Sequence, residues 1–452
     1  MSKTNLRAAL LGSGAAVAMM AASVPASADE LSELRAQIDA LQNQLSTLET
    51  RQDVVESQGS VAPAAAIEAG DRARTFRWAG TDTSVNIGGY AKLDVIFDLG
   101  PDIGDSASRF AVPADGAVAD GFQDNFRLHA RQSRFWIKTW TPTDWGEMAT
   151  HIEGDFEGGG GNQNISNSTG FRLRHAYGRL GPVLAGQTWT NFMDVSSLMN
   201  TIDFNGQAGI SFVRQAQLRY THAFGDSGFR VALAIENPES RVRAGAATIT
   251  SSGGAAAGAE TADPAPDFTG QAQYHFSGGH VSLRGVLRVL EVNAVIGGAQ
   301  VSDTAVGWGL GASGAYSLGD NDAIGGEFNI GNGIGRYGFD AAGLIAASVN
   351  GAGNLDLNDY WGGAVWYAHN WTDTISSNVG YGYGNGDPNV STVGFAGAAG
   401  LTHSIHSVHA NLMWSPVSSV NFGVEAIYLA RNIEGASNND TMRFQLGMQY
   451  KF

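Results

Sequence analysis

The chain has 452 residues, no cysteine and a formal charge of −16. Without thiols there is neither a disulfide framework nor a thiolate metal site, and so acidic a chain does not hold nucleic acid through bulk charge. Mean hydropathy is near zero, and no segment approaches the roughly 20 continuous apolar residues of a membrane-spanning helix.

At the front, Lys3 and Arg7 precede the small, apolar stretch 8–22, and Ala26-Ser27-Ala28 has the form of an A-x-A cleavage site. Residues 1–28 therefore read as a secretory signal peptide, with the exported chain beginning near Asp29. That segment holds two basic and no acidic groups, so the remainder carries −18. Export without a membrane helix leaves a periplasmic protein, a secreted protein or an outer-membrane barrel.

Residues 29–58 follow with 3-4 spacing of Leu31, Leu34, Ile38, Leu41, Leu45, Leu48 and Val55, Gln52 filling one seam position. Glu30, Glu33, Arg35, Asp39 and Glu49 keep both flanks polar. This predicts a coiled coil, which requires partners, with an amphipathic helix docked on its own barrel as the alternative. Gly59 and Pro63 end the helix, and 59–82 reads as a linker.

From residue 83 the pattern is strands only. Val85, Ile87, Gly89, Ala91, Leu93, Val95 and Phe97 form one face of the first strand, with Asn86, Lys92, Asp94 and Asp98 on the other. Fifteen more strands are predicted at 124–141, 145–157, 170–180, 182–189, 209–224, 228–237, 267–276, 279–291, 304–318, 321–331, 358–371, 373–384, 402–415, 418–431 and 440–452. In the last, Met442, Phe444, Leu446, Met448, Tyr450 and Phe452 alternate with Thr441, Arg443, Gln445, Gly447, Gln449 and Lys451. One greasy and one wet face along a whole strand suits a wall between lipid and water. Short links such as Gly225-Asp226-Ser227, Gly278-Gly279 and Gly319-Asp320-Asn321 alternate with long segments at 99–123, 158–169, 190–208, 238–266, 292–303, 332–357, 385–401 and 432–439. Together these predict a sixteen-stranded antiparallel transmembrane β-barrel over 83–452, preceded by the coiled coil. Both barrel ends then fall on the short-turn, periplasmic side.

The phase of each strand says which residues face inward. Phe171, Leu173 and Tyr177 outward leave Arg172 and Arg174 in the lumen. By the same argument Arg219, Arg230, Arg284 and Arg288 point inward. Arg127 and Arg131 oppose Leu128 and Ala130, but Phe135 and Ile137 demand a bulge near Ser133, which leaves Arg134 ambiguous. An arginine on the lipid face costs about 2–4 kcal/mol near the midplane. Fourteen Lys and Arg fall between Lys92 and Arg243, and six from 244 onward, so the basic groups concentrate on one wall. Arginine there favours anions, since guanidinium is permanently charged and grips carboxylates with two donors. The competing reading is that these arginines pair with Glu153, Asp155 and Glu157 and stiffen the wall. The segment 190–208, with Asn191, Asp194, Ser196 and Ser197, holds more apolar residues than a surface loop should. It is expected to fold inward and constrict the pore, with a contact between subunits as the alternative.

Other candidate sites fail on geometry. His403 and His409 share a strand face from which His406 points away, so the three do not converge on a metal. The run 354–359 resembles the start of a calcium loop but lacks the central Gly and distal Glu. Gly-x-Gly runs at 307–311 and 380–384 lie within strands rather than ahead of a helix. No enzyme site, metal or cofactor is predicted.

Two resemblances add to this reading. Gln445, Gly447, Tyr450 and Phe452 fall in a run that resembles the C-terminal signal delivering outer-membrane barrels to their assembly machinery. The runs Gly88-Gly89-Tyr90-Ala91-Lys92-Leu93-Asp94, Arg131-Gln132-Ser133-Arg134-Phe135 and Gly186-Gln187-Thr188-Trp189-Thr190, with the overall order of segments, resemble the DcaP-like family of trimeric outer-membrane porins. Phosphate-type porins are similar more distantly. The family resemblance implies a homotrimer in outer-membrane lipid, with passive uptake of small organic anions such as dicarboxylates or aromatic acids. A non-selective or cation-preferring porin and a structural outer-membrane anchor are the other readings; conductance and ion selectivity separate them.

Overall fold

The computed structural model describes residues 28–58, 66–108, 111–112, 124–162, 164–244, 247–250, 259–296, 299–338, 345–387, 401–434 and 439–452. The signal-peptide reading and part of the linker lie outside them. Two units divide the chain, Met1–Glu68 and Ala69–Phe452. In the first, α1 (Ala28–Gln58) is one uninterrupted helix. Its seam residues Ile38, Leu41, Leu45 and Leu48 are all exposed, Leu41 by 64%.

The second unit is a closed barrel of sixteen strands. They are β1 (Ser84–Leu99), β2 (Asn125–His129 continued by Arg134–Thr141), β3 (Met148–Gly158), β4 (Gly170–Leu180), β5 (Val183–Trp189), β6 (Arg214–Ala223), β7 (Phe229–Glu236) and β8 (Asp267–Phe276). The remainder are β9 (Gly279–Ile296), β10 (Ala299–Leu318), β11 (Asp322–Asn332), β12 (Asp359–Asn370), β13 (Ile375–Gly386), β14 (Thr402–Val417), β15 (Val420–Ile433) and β16 (Asn439–Lys451). Each pairs antiparallel with its neighbours in the chain. β16 closes on β1, with Phe444 opposite Phe97 and Lys451 opposite Tyr90. Gly89 and Phe452 exchange both backbone hydrogen bonds at the seam. Closure leaves no open edge, which hydrocarbon surroundings demand.

The faces sort as alternation requires. Phe126, Leu218, Leu233, Leu283, Val365 and Phe444 are exposed outward, while Asp94, Gln217, Glu327, His409, Arg443 and Gln445 are buried inward. A soluble protein would reverse that order. Short links close one end, where Gly278 (φ 84°) and Gly319 (φ 72°) adopt the left-handed backbone of tight hairpin turns.

Bulges in β2 and β4 break the strict alternation on the arginine-bearing side. β2 is interrupted at 130–133, as Phe135 and Ile137 require, and Ser133 Oγ accepts the Lys92 amide at 2.9 Å. Arg134 thereby turns inward, toward Glu153. In β4, Leu173 pairs with Gly154 but His175 pairs with Glu153, so Arg174 is the extra residue. Both Arg174 and His175 consequently point inward. The expectation that Tyr177 faces lipid is corrected: beyond the bulge the phase flips, and its ring meets His151 and His175 inside.

The long-loop end also departs from expectation. β9 and β10 run on through the predicted 292–303 connection. Against their extension, the strands Arg241–Ala244, Ala247–Thr250, Ala347–Val349 and Leu355–Leu357 form a separate four-stranded sheet. Val242, Leu290, Val292, Ala347, Val349 and Leu355 make its core. Residues 209–213, predicted within β6, belong instead to the preceding loop.

Candidate functional site

The segment 190–213 leaves β5 at Trp189 and returns to β6 at Arg214, passing through the lumen. Polar groups on the inner wall hold its backbone along the way. Glu236 on β7 accepts from Thr190 Oγ1 (2.6 Å) and the Asn191 amide (2.7 Å). Asp194 caps the short 3-10 turn Val195–Ser197 and accepts from His280 Nε2 (2.8 Å) and Ser313 Oγ (2.7 Å). The Ser211 amide donates to Glu327 (2.6 Å), and Trp366 Nε1 donates to the Ser197 carbonyl (2.6 Å). Further round, Ser407 Oγ takes the Ala208 amide, Asn411 donates to the Asn200 carbonyl, and Glu425 takes the amides of Ile202 and Asp203. Lys92 Nζ finally donates to the Ile202 carbonyl at 2.7 Å. The partners thus run from β7 round to β1, and the loop lies along that arc.

Glycines let it lie close. A Cβ on Gly382 would collide with the Ala208 backbone, and one on Gly447 would stand 2.7 Å from the Ile202 side chain. The 380–384 Gly-x-Gly run therefore makes a bed for the loop. At the loop's start, Phe192 packs edge-on against buried Tyr337 (5.6 Å between centroids), whose hydroxyl donates to Asp267 at 3.0 Å. Burial raises the Tyr337 phenol well above its ordinary pKa, and the nearby Asp267 and Glu236 charges add to the shift.

The uncovered arc, β2 to β6, carries the guanidinium groups. Arg172 grips Asp155 through two bonds of 2.9 and 2.8 Å. Arg174 bridges Glu153 (2.8 Å) and Asp155 (3.0 Å), and Arg134 approaches Glu153 at 3.3 Å while lying over Tyr90. Three guanidinium groups share two carboxylates. Arg214 lies 4.7 Å over the Trp189 ring, with Nη1 buried and unpartnered and no ion pair among the described residues. Glu157, further along β3, also keeps one carboxylate oxygen buried without a partner. Four guanidinium groups therefore face three carboxylates in this sector. Phe204 of the loop lies against this wall, its ring centroid 5.1 Å from the Arg172 guanidinium and 5.2 Å from that of Arg174. Phe212 links Phe204 to Trp189 in a continuous aromatic strip.

The remaining predicted residues are dispersed. Arg127 and Arg131 pair with Asp102 and Asp105 of the loop after β1. Arg219 donates to Gln217 Oε1 (2.7 Å) and the Trp189 carbonyl (2.6 Å). Arg230 meets His275 at the short-turn end. Arg284 is sealed behind the loop with Glu327 and the Phe192 carbonyl, and Arg288 is buried with Asp267 and the Ile334 carbonyl. Neither meets the open lumen. Asn191, Asp194 and Ser197 are buried anchors, and only Ser196 of the predicted loop residues is exposed. Gln445 donates to Asp94 (2.8 Å), while Tyr450 and Phe452 are exposed. His409 is buried against Glu425 (2.7 Å) and His406 meets Tyr381. His403 sits in a bulge between Thr402 and Ser404 and turns to Glu434, so it leaves the lumenal row it was expected to share with His409.

Sequence reasoning missed Arg214, Phe204 and Arg443. Alternation with Gln215, Gln217 and Arg219 inward would send Arg214 outward, but the strand begins there and its phase is not yet set. Arg443 forks onto Asp98 (2.6 and 2.8 Å) and lies 3.7 Å from Asp203 of the loop. Its inward phase was legible, but its partners were not.

A closed sixteen-stranded barrel, apolar outside, polar inside and crossed by an infolded loop, defines the class of outer-membrane channels. Residues 17–452 match the family model described as DcaP outer membrane protein, and the chain belongs to that family. Among solved structures, the outer membrane channel DcaP of Acinetobacter baumannii is similar at 20% identity and a TM-score of 0.68, over 82% of this chain and 97% of that one. The trimer form of OmpT, an outer membrane protein of Vibrio cholerae, is similar at 13% identity and a TM-score of 0.50, over 82% and 99%. A comparison with curated proteins returns no match.

Proposed function

We propose that this channel passes small organic anions by passive diffusion along the arginine wall and the Phe204 loop that lies against it. The observation that carries the reading is the excess of guanidinium over carboxylate there, and above all Arg214, which has no ion pair among the described residues. A permeating carboxylate can engage it without displacing a resident acid, and the strip of Trp189, Phe212 and Phe204 offers apolar surface to the rest of a planar solute. In proteoliposomes the wild type is expected to pass succinate faster than a neutral diol of equal size, and Arg214→Gln to narrow that ratio about threefold. Equal rates for the two solutes, or an unchanged ratio in the variant, would remove the anion assignment.

The helix has a second part in this reading. With the short turns on the periplasmic side, α1 lies in the periplasm and self-associates along its exposed seam, as a trimer by analogy with the family. A peptide of residues 29–58 is expected to sediment as an oligomer, and Ile38→Asp with Leu41→Asp to make it monomeric by placing charge in the seam. A monomeric unmodified peptide would contradict this.

A further inference from the structure

Arg127 and Arg131 sit apart from the arginine wall. Arg127 is opposite Ile96 on β1 and Arg134 is opposite Tyr90. Six residues separate those levels, about 20 Å along the strand toward the long-loop end. Two guanidinium groups side by side at a channel mouth form a station for an anion, yet here it is filled from within. Asp105 gives one carboxylate oxygen to Arg127 Nη1 (2.6 Å) and the other to Arg131 Nη1, while its carbonyl meets His129 Nε2 (2.9 Å). Asp102 takes the second arm of Arg127. The two positive charges are balanced by the two carboxylates.

What keeps these acids in place does not depend on the ion pairs alone. Ile103, Ala107 and Val112 pack on Ile427 and Leu429 of β15, two strands round the wall from β1. Arg443 Nη2 donates to the Gly104 carbonyl (2.6 Å), and the Ala107 amide donates to Asp203 (2.8 Å). The loop is moored on β15 and β16 and offers Asp102 and Asp105 to β2.

We infer that Asp105 is a tethered competitor at an outer anion station formed by Arg127 and Arg131, so that a permeating dicarboxylate must exchange with it before reaching the arginine wall. This rests on the anion-channel reading. The tether sets the threshold of the channel: solutes with one weak charge do not displace a carboxylate held by two guanidinium groups, and a dianion does so with both of its own carboxylates.

The test records the full-length channel in planar bilayers and measures the half-saturating succinate concentration for interrupting the chloride current. Asp105→Asn keeps the loop moored and frees Arg131 and one arm of Arg127, and is expected to lower that concentration at least fivefold. Asp124→Asn removes the same charge from the same mouth, but Asp124 accepts the Gly100 amide and touches neither arginine. It is expected to leave the value unchanged, and Asp105→Asn in an Arg127→Gln, Arg131→Gln background is expected to gain nothing. If Asp105→Asn gives no barrel band on gels, Asp102→Asn carries the same test with a smaller shift. A wild-type value in the Asp105 variant, or an equal shift from Asp124→Asn, overturns the inference. A cation-preferring wild type would defeat the channel reading alone, since the comparison among variants measures the competitor itself.

Discussion

Replacing Arg172 and Arg174 together by Gln moves the reversal potential toward cations and slows dicarboxylate flux about tenfold. Gln keeps a polar side chain of similar reach, so the change is chiefly one of charge. Arg134 and Arg214 would remain against Glu153, Asp155 and Glu157, and the sector would change sign. A contact between unit charges at 4 Å is worth about 1 kcal/mol in water and more beside a low-dielectric wall. Screening limits the reach to about 8 Å at physiological ionic strength, which confines the effect to the part of the passage beside this wall. Conductance in molar salt is expected to change little, because the Debye length there is about 3 Å. Unchanged selectivity would make these arginines scaffold, held by their carboxylates for stiffness alone.

Glu327→Ala is expected to damage the channel from the other side. The Glu327 side chain is 1% exposed and accepts from Arg284 Nη1 at 3.1 Å, the Ser211 amide at 2.6 Å and Asn329 Nδ2 at 3.2 Å. Its loss leaves the fully buried Arg284 with only the Phe192 carbonyl and Asn329. Removing one member of a buried pair typically costs about 3–5 kcal/mol, because the other charge stays behind uncompensated. The temperature at which the folded band disappears from unboiled gels should fall by about 10 °C. The same cut frees the end of the 190–213 loop, so single-channel conductance should rise. Glu327→Gln, which keeps one acceptor oxygen but turns an NH2 toward the other donor, should show a smaller form of each change. Wild-type gel behaviour and conductance in Glu327→Ala would mean that the loop is held without this anchor.

The barrel itself was legible because lipid and water impose a period of two on every strand. Met442 to Phe452 carries that period without interruption, and the alternation of short and long links ordered the strands. The bulge at 130–133 announced itself through Phe135 and Ile137, whose apolar bulk cannot face a polar lumen. The bulge at Arg174 gave no such sign, since Arg174 and His175 are both polar and either phase satisfies them. Tyr177 was misplaced for that reason. The loop's inward course was suggested by Phe192, Val195, Leu198 and Met199, but its route depends on partners far away in sequence, such as Glu425 beneath Ile202 and Ser407 beneath Ala208. The same holds for the arginines. Strand phase says that Arg127 and Arg284 point inward; it does not say that Asp105 or Glu327 will meet them there.

Anion preference requires an excess of positive charge along the permeation path of an otherwise acidic chain. Its most direct test is the reversal potential of a single wild-type channel in a tenfold potassium chloride gradient. An anion-preferring channel gives a potential of the sign set by chloride, and a potential of the sign set by potassium would contradict the anion path.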